Sequence, residues 1–112
     1  MGEYKNYYYT VHTDISRALK RYNTLMPKGK FTILDSNILS MIRSFNKSNT
    51  KFFMSNKELA DIMITDPATI QKAINRLCAA GLIKKENIYS GPRPQRVLHY
   101  QEMAVQKLLA TY

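Results

Sequence analysis

The 112-residue chain has room for one domain with a modest core, since chains of this size bury roughly two thirds of their unfolded surface. Its 17 Lys and Arg against 8 Asp and Glu, a formal charge of +9, suit a polyanion or an acidic membrane surface, and the lone Cys78 excludes an intramolecular disulfide. No run nears the roughly 18 consecutive apolar residues of a membrane span and MGEYKNYYY has no apolar signal-peptide core, so a cytoplasmic protein without a membrane partner is expected.

Along the chain, YYYTVH is rich in strand formers and predicts a short edge strand. TDISRALKRYNTL predicts a helix capped by Thr13 or Asp14, with Ile15, Leu19 and Tyr22 at helical spacing and Arg17, Lys20 and Arg21 on other faces. MPKGK reads as a turn. From Asp35, DSNILSMIRSFN sets Ile38, Leu39, Ile42 and Phe45 on one stripe of a helix that ends in the polar NKSNT. The apolar residues at 52 to 54 form a short strand and run into Ser55, which makes an S-x-x-E capping box with Glu58, so a helix starts at Asn56 with Leu59, Ile62 and Met63 inward. Asp66 followed by Pro67 caps a second helix, proline taking the first helical position where its missing N–H is harmless. That helix buries Ile70, Ala73, Ile74 and Leu77, ends near Ala80 and meets Gly81, which suits a left-handed residue after a helix end. LIKKENIYS and RVLHYQ are then two strands around the turn-rich GPRP. EMAVQKLLATY closes the chain as an amphipathic helix with Val105, Leu108, Leu109 and Tyr112 on one face.

This order, with SNKELADIMITDPATIQKAINRLCAAGLIKKE at its centre, resembles the winged helix-turn-helix DNA-binding family over residues 52–101. Leu59 and Ala60 match the first-helix pair, Asp66 the cap, Thr69 and Ile70 the opening pair of the recognition helix, Ile74 and Leu77 its buried stripe, and Gly81 to Ile83 the entry to the wing. The tyrosine-rich start and ILDSNILSMIRSF are also similar to RepL-type plasmid replication and maintenance proteins and to some phage regulators. One position departs from the pattern. Ile64 stands where glycine is usual, and a β-branched residue tolerates positive φ poorly, so a longer first helix or a turn of another geometry is expected.

The resemblance implies a fold that is mainly α with a small β-hairpin wing: an N-terminal extension with a helix (1–33), a winged core (34–101) and a C-terminal helix (102–112) in a single domain. On the second helix, the residues that point away from the core are those a major groove accepts, and Gln and Asn can read adenine edges. Ala68, Thr69, Gln71, Lys72 and Asn75 are therefore expected in the major groove, Thr69 also as a phosphate or thymine-methyl contact. Ser55, Asn56, Arg76, Lys84 and Lys85 are expected on the DNA backbone, and Arg93 and Arg96 on the wing, where a proline-stiffened tip holds Arg93 toward a narrow minor groove. Between Pro67 and Tyr100, six cations face one anion, Glu86, so five of the nine net charges fall in under a third of the chain. Without that context the same residues describe a solvated helix face and an ordinary hairpin turn.

No enzyme, metal or cofactor is expected. His12 and His99 have no carboxylate or cysteine partner at metal-ligand spacing, no glycine-rich phosphate loop is present, and no nucleophile motif surrounds Cys78, which reads as a structural thiol. Asp14, Asp35 and Asp66 each have a helix-capping explanation. One recognition helix and one wing cover about 600–1,000 Å² of DNA, so a homodimer spanning two half-sites is expected, paired through Leu19 and Tyr22 or through Val105, Leu108, Leu109 and Tyr112. The alternative is that these stripes complete a small core. The expected function is site-specific binding of double-stranded DNA to regulate transcription or maintenance of a plasmid or phage. The alternative is a replication initiator or a partition (centromere-binding) adaptor that recruits another protein through a terminal helix. A third reading, a winged helix used for protein contact alone, predicts no salt-dependent DNA affinity.

Overall fold

A computed structural model describes residues 13–25, 31–89 and 91–112; the expected YYYTVH strand, His12 and the MPKGK turn lie outside the described residues. Among the described residues, five helices and two strands follow one another as α1 (Thr13–Leu25), α2 (Ile33–Lys47), α3 (Asn56–Met63), α4 (Pro67–Ala79), β1 (Ile83–Ile88), β2 (Gln95–Tyr100) and α5 (Glu102–Thr111). Helices α2, α3 and α4 begin where their caps dictate. α2 starts two residues before Asp35, because the hydroxyl of Thr32 accepts from the Asp35 N–H at 3.2 Å while Asp35 Oδ2 accepts from the Thr32 N–H at 3.2 Å. Asp35 is thus the far member of a capping box and not the cap itself.

One apolar cluster joins all these elements. Ile15 and Leu19 of α1, Ile38, Leu39 and Ile42 of α2, Leu59 of α3, Ile70, Ile74 and Leu77 of α4, Leu98 of β2 and Val105 of α5 are each at most 2% exposed. Their 3.6-residue spacing gives each helix one inward stripe, and the stripes meet. The strands form an antiparallel hairpin in which Ile83 faces Tyr100 and Ile88 faces Gln95. The expected short strand before α3 is reduced to one bridge, Phe52 to Leu98, with the Leu98 N–H donating to the Phe52 carbonyl at 3.1 Å. The layout, mainly helical with a two-stranded wing, is winged-helix-like.

The terminal helices pack on each other and not outward. Tyr22 of α1 meets Tyr112 edge-to-face at 5.5 Å between ring centroids and Phe31 at 5.2 Å. Leu19 is 2% and Val105 0% exposed, so neither has surface to offer a second copy, and these two are removed from the expected dimer interface. Tyr22, Leu108 and Leu109 pack against the core, Tyr112 rests on Tyr22, and all four remain half-buried. A fold this small draws Leu19 and Val105 into its own core, which apolar periodicity alone does not reveal.

Candidate nucleic-acid interface

The α3–turn–α4 unit is built by local hydrogen bonds that follow from its sequence. Ser55 Oγ accepts from the Glu58 N–H at 3.1 Å, and Glu58 Oε1 accepts from the Ser55 N–H at 3.1 Å. Asp66 caps α4 by accepting from the Thr69 N–H at 2.8 Å and the Thr69 hydroxyl at 3.0 Å, which holds its carboxyl below the usual carboxylate range. Between them, α3 ends at Met63 and Ile64 takes the left-handed conformation, φ 55° and ψ 56°. The longer helix or altered turn expected from Ile64 does not occur. The chain accepts the conformational penalty at Ile64, whose side chain is 92% exposed, and Leu59 and Ile70 on either side of the turn stay fully buried. At the other end, α4 closes with Gly81 at φ 75°, the Leu82 N–H donating to Leu77 O and the Gly81 N–H to Cys78 O, each at 3.0 Å.

The outer face of α4 is open. Pro67, Ala68, Lys72 and Asn75 are exposed, and Thr69 and Gln71 flank them half-buried. Its polar edge is ordered by a chain of hydrogen bonds that begins on the hairpin. Arg96 Nη1 donates to Asn56 Oδ1 at 2.5 Å, Asn56 Nδ2 donates to Gln71 Oε1 at 2.7 Å, and Gln71 Nε2 donates to Asn75 Oδ1 at 2.9 Å. Arg96 Nη2 also donates to the Met54 carbonyl at 2.7 Å. The hairpin, the first turn of α3 and the exposed edge of α4 therefore lie on one side of the molecule.

Three residues expected to contact DNA, Arg76, Arg96 and Asn56, are engaged within the molecule instead. Arg76 turns back to α2, where its Nε and Nη2 donate to the two oxygens of Asp35 at 2.7 and 2.8 Å, and the Asp35 side chain is fully buried. Asp35 also accepts from the Thr32 hydroxyl at 2.9 Å. The Asp35 carboxylate raises the Arg76 guanidinium above its usual value and ties α4 to α2, so Arg76 belongs to the frame and not to the phosphate-facing set. Arg96 likewise points inward across the hairpin root. Burial lowers its guanidinium below the usual value, and its Nε is buried without a hydrogen-bond partner among the described residues. Arg96 acts on the α4 edge through Asn56. Asn56, expected on the backbone, is a half-buried link in the chain.

Lys84, Lys85 and Arg93 are exposed on the hairpin and its tip, as is Lys57 in the first turn of α3. His99, read from the sequence as without a carboxylate partner, contacts Glu86 through Nε2 at 2.7 Å. The antiparallel register brings them together, since Glu86 pairs with Val97, two residues from His99 on the same face. Among the described residues no group of three or more His, Cys, Asp or Glu side chains stands close enough to hold a metal ion. No helix among them is long and apolar enough to cross a membrane. Cys78 is half-buried, and desolvation pushes its thiol above the usual value, the opposite of what a nucleophile needs.

The residues that the sequence did not mark are Asp35 as the anchor of Arg76 and Asn56 as the link between hairpin and α4. The capping-box spacing accounts for Asp35 without its second role, and no local pattern announces a pairing across 41 or 40 positions. Comparison of the chain with protein-family models, with curated proteins and with solved structures yields no match.

Proposed function

We propose that this protein binds double-stranded DNA site-specifically, with α4 in the major groove and the hairpin along the backbone or in the minor groove, and that it regulates transcription or maintenance of a plasmid or phage. The observation that carries this reading is the α4 edge: Gln71 and Asn75 are held in one orientation by a chain rooted in Arg96, beside the exposed Ala68 and Lys72. A merely solvated face has no need of ordered amides, whereas base readout gains from groups oriented before binding. Lys84, Lys85 and Arg93 supply exposed positive charge for phosphates, Ser55 and Lys57 flank the start of α3, and the fully buried stripe of α4 keeps the helix rigid.

The corrected contact set is therefore Ala68, Thr69, Gln71, Lys72 and Asn75 toward bases and Ser55, Lys84, Lys85 and Arg93 toward the backbone or minor groove. A homodimer on two half-sites is part of the proposal, since one such module covers about 600–1,000 Å². The half-buried edge formed by Leu108, Leu109 and Tyr112 is its pairing surface. The test is binding to duplex fragments from the protein's own genetic neighbourhood across a salt series, followed by mapping of the protected sites. Affinity that falls steeply with salt and concentrates at discrete sites is expected; affinity indifferent to salt refutes the reading.

A further inference from the structure

The hydrogen-bond chain rooted in Arg96 has a direction, and that direction sets the chemistry of its exposed end. A guanidinium can only donate. Arg96 Nη1 therefore selects Oδ1 of Asn56, which turns Asn56 Nδ2 to Gln71. Gln71 answers with Oε1 and so presents Nε2 to Oδ1 of Asn75. Reversing any one amide would set donor against donor or acceptor against acceptor, so one buried-side cation orients all three. What remains at the open end is the Nδ2 group of Asn75, on the exposed face of α4, beside the second N–H of Gln71 Nε2.

Resting on the DNA-binding reading above, we propose that this donor-ended chain makes Asn75 read guanine. In the major groove guanine offers two neighbouring acceptors, N7 and O6, while thymine offers one, O4, beside its methyl group, adenine sets a donor beside its N7 and cytosine offers a donor alone. The bidentate adenine pairing open to an isolated asparagine uses the carbonyl oxygen, and here Asn75 Oδ1 already accepts from Gln71. Asn75 is the specificity-determining residue; Asn56 and Arg96 are positioning residues that touch no base.

Asn56→Asp tests the direction of the chain. The new carboxylate preserves the size of the side chain and the pairing with Arg96, but it can only accept. Gln71 must then turn Nε2 inward and offer Oε1 to Asn75, which answers with Nδ2 and leaves its own oxygen outward. Selection of bound duplexes from a pool with a randomised site gives the base preference at each position, and Asn75→Ala identifies the position Asn75 reads by flattening it. Wild type is expected to select guanine there, and Asn56→Asp to shift the ratio by roughly tenfold toward adenine or cytosine. Gln71→Glu reverses the same bond from the next link, because its carboxylate accepts from both neighbours, and it carries the test if Asn56→Asp fails to fold by circular dichroism. Guanine retained by a folded variant, or another base selected by wild type at that position, overturns the inference while DNA binding stands. Loss of all salt-dependent duplex binding by wild type overturns the DNA reading and the inference together.

Discussion

Arg76 and Ile64 show how one side chain's surroundings decide its role. Arg76 sits on the polar flank of α4, yet its guanidinium neutralises a carboxylate with no exposed surface. Its removal leaves Asp35 buried and unpaired, so Arg76→Ala is expected to lower stability by about 3 kcal/mol in a urea titration, toward the low end for broken buried pairs because Arg76 is partly exposed. A residue that only met phosphates would leave the unfolding midpoint in place. Ile64 holds a left-handed backbone with 92% of its surface exposed, so replacing it sacrifices no packing. Ile64→Asn, which keeps a side chain tolerant of that region, is expected to raise stability by about 1 kcal/mol. An unchanged thermal midpoint would mean that the backbone at this turn carries no penalty.

Among the elements, α3 and α4 start at caps, and each cap makes its own prediction. Ser55→Ala removes the acceptor for the Glu58 N–H and is expected to cost about 1 kcal/mol. The Asp66 cap titrates. Its hydrogen bonds with Thr69 depress the folded pKa below the ordinary 3.8, so the carboxylate's stabilising contribution is complete above that value and is lost as pH falls through the folded pKa. Asp66→Asn keeps a capping oxygen without the titration. Its stability relative to wild type is therefore expected to rise as the pH is taken below 3.8, and a difference that stays constant with pH would show that ionisation of Asp66 does not matter to the cap. The hairpin follows a different logic. Its two strands pair by register, and the register joined His99 to Glu86 where residue spacing alone did not.

At the scale of the whole molecule, α1 and α5 belong to the core. They close it around Leu19 and Val105, so Val105→Ala is expected to destabilise the fold by about 2 kcal/mol and to leave the oligomeric state unchanged in sedimentation. Dissociation of a dimer by this substitution without loss of stability would return Val105 to an interface. Exposed cations lie on the hairpin at Lys84, Lys85 and Arg93 and at the start of α3 at Lys57, and others stand on α1 at Arg17, Lys20 and Arg21, on α4 at Lys72 and on α5 at Lys107. Lys84→Ala is expected to reduce the slope of log affinity against log salt by roughly one, while Arg96→Met is expected to alter site preference with little change in slope. Equal effects of the two on the slope would place Arg96 on phosphate after all.

Most of the architecture was legible before any coordinate. The stripes of α2 and α4, the capping box at Ser55, the Asp66–Pro67 start and the Gly81 end all depend on residues three to five positions apart, and hydrogen bonds over such distances are written in local spacing. The exposed part of the candidate site, Ala68, Lys72 and Asn75 on α4 with Lys84, Lys85 and Arg93 on the hairpin, was legible for the same reason: residues off the buried stripe face outward. Tertiary structure alone decided what the half-buried polar residues do. Arg76 and Arg96 looked identical to their exposed neighbours in charge and spacing, and each was drawn inward by a partner about forty residues away that only the packing of α2 and α3 against α4 and the hairpin brings within reach. A cation on the flank of a helix goes to whichever oxygen is nearest and least solvated, and distance in space is the one quantity periodicity does not contain.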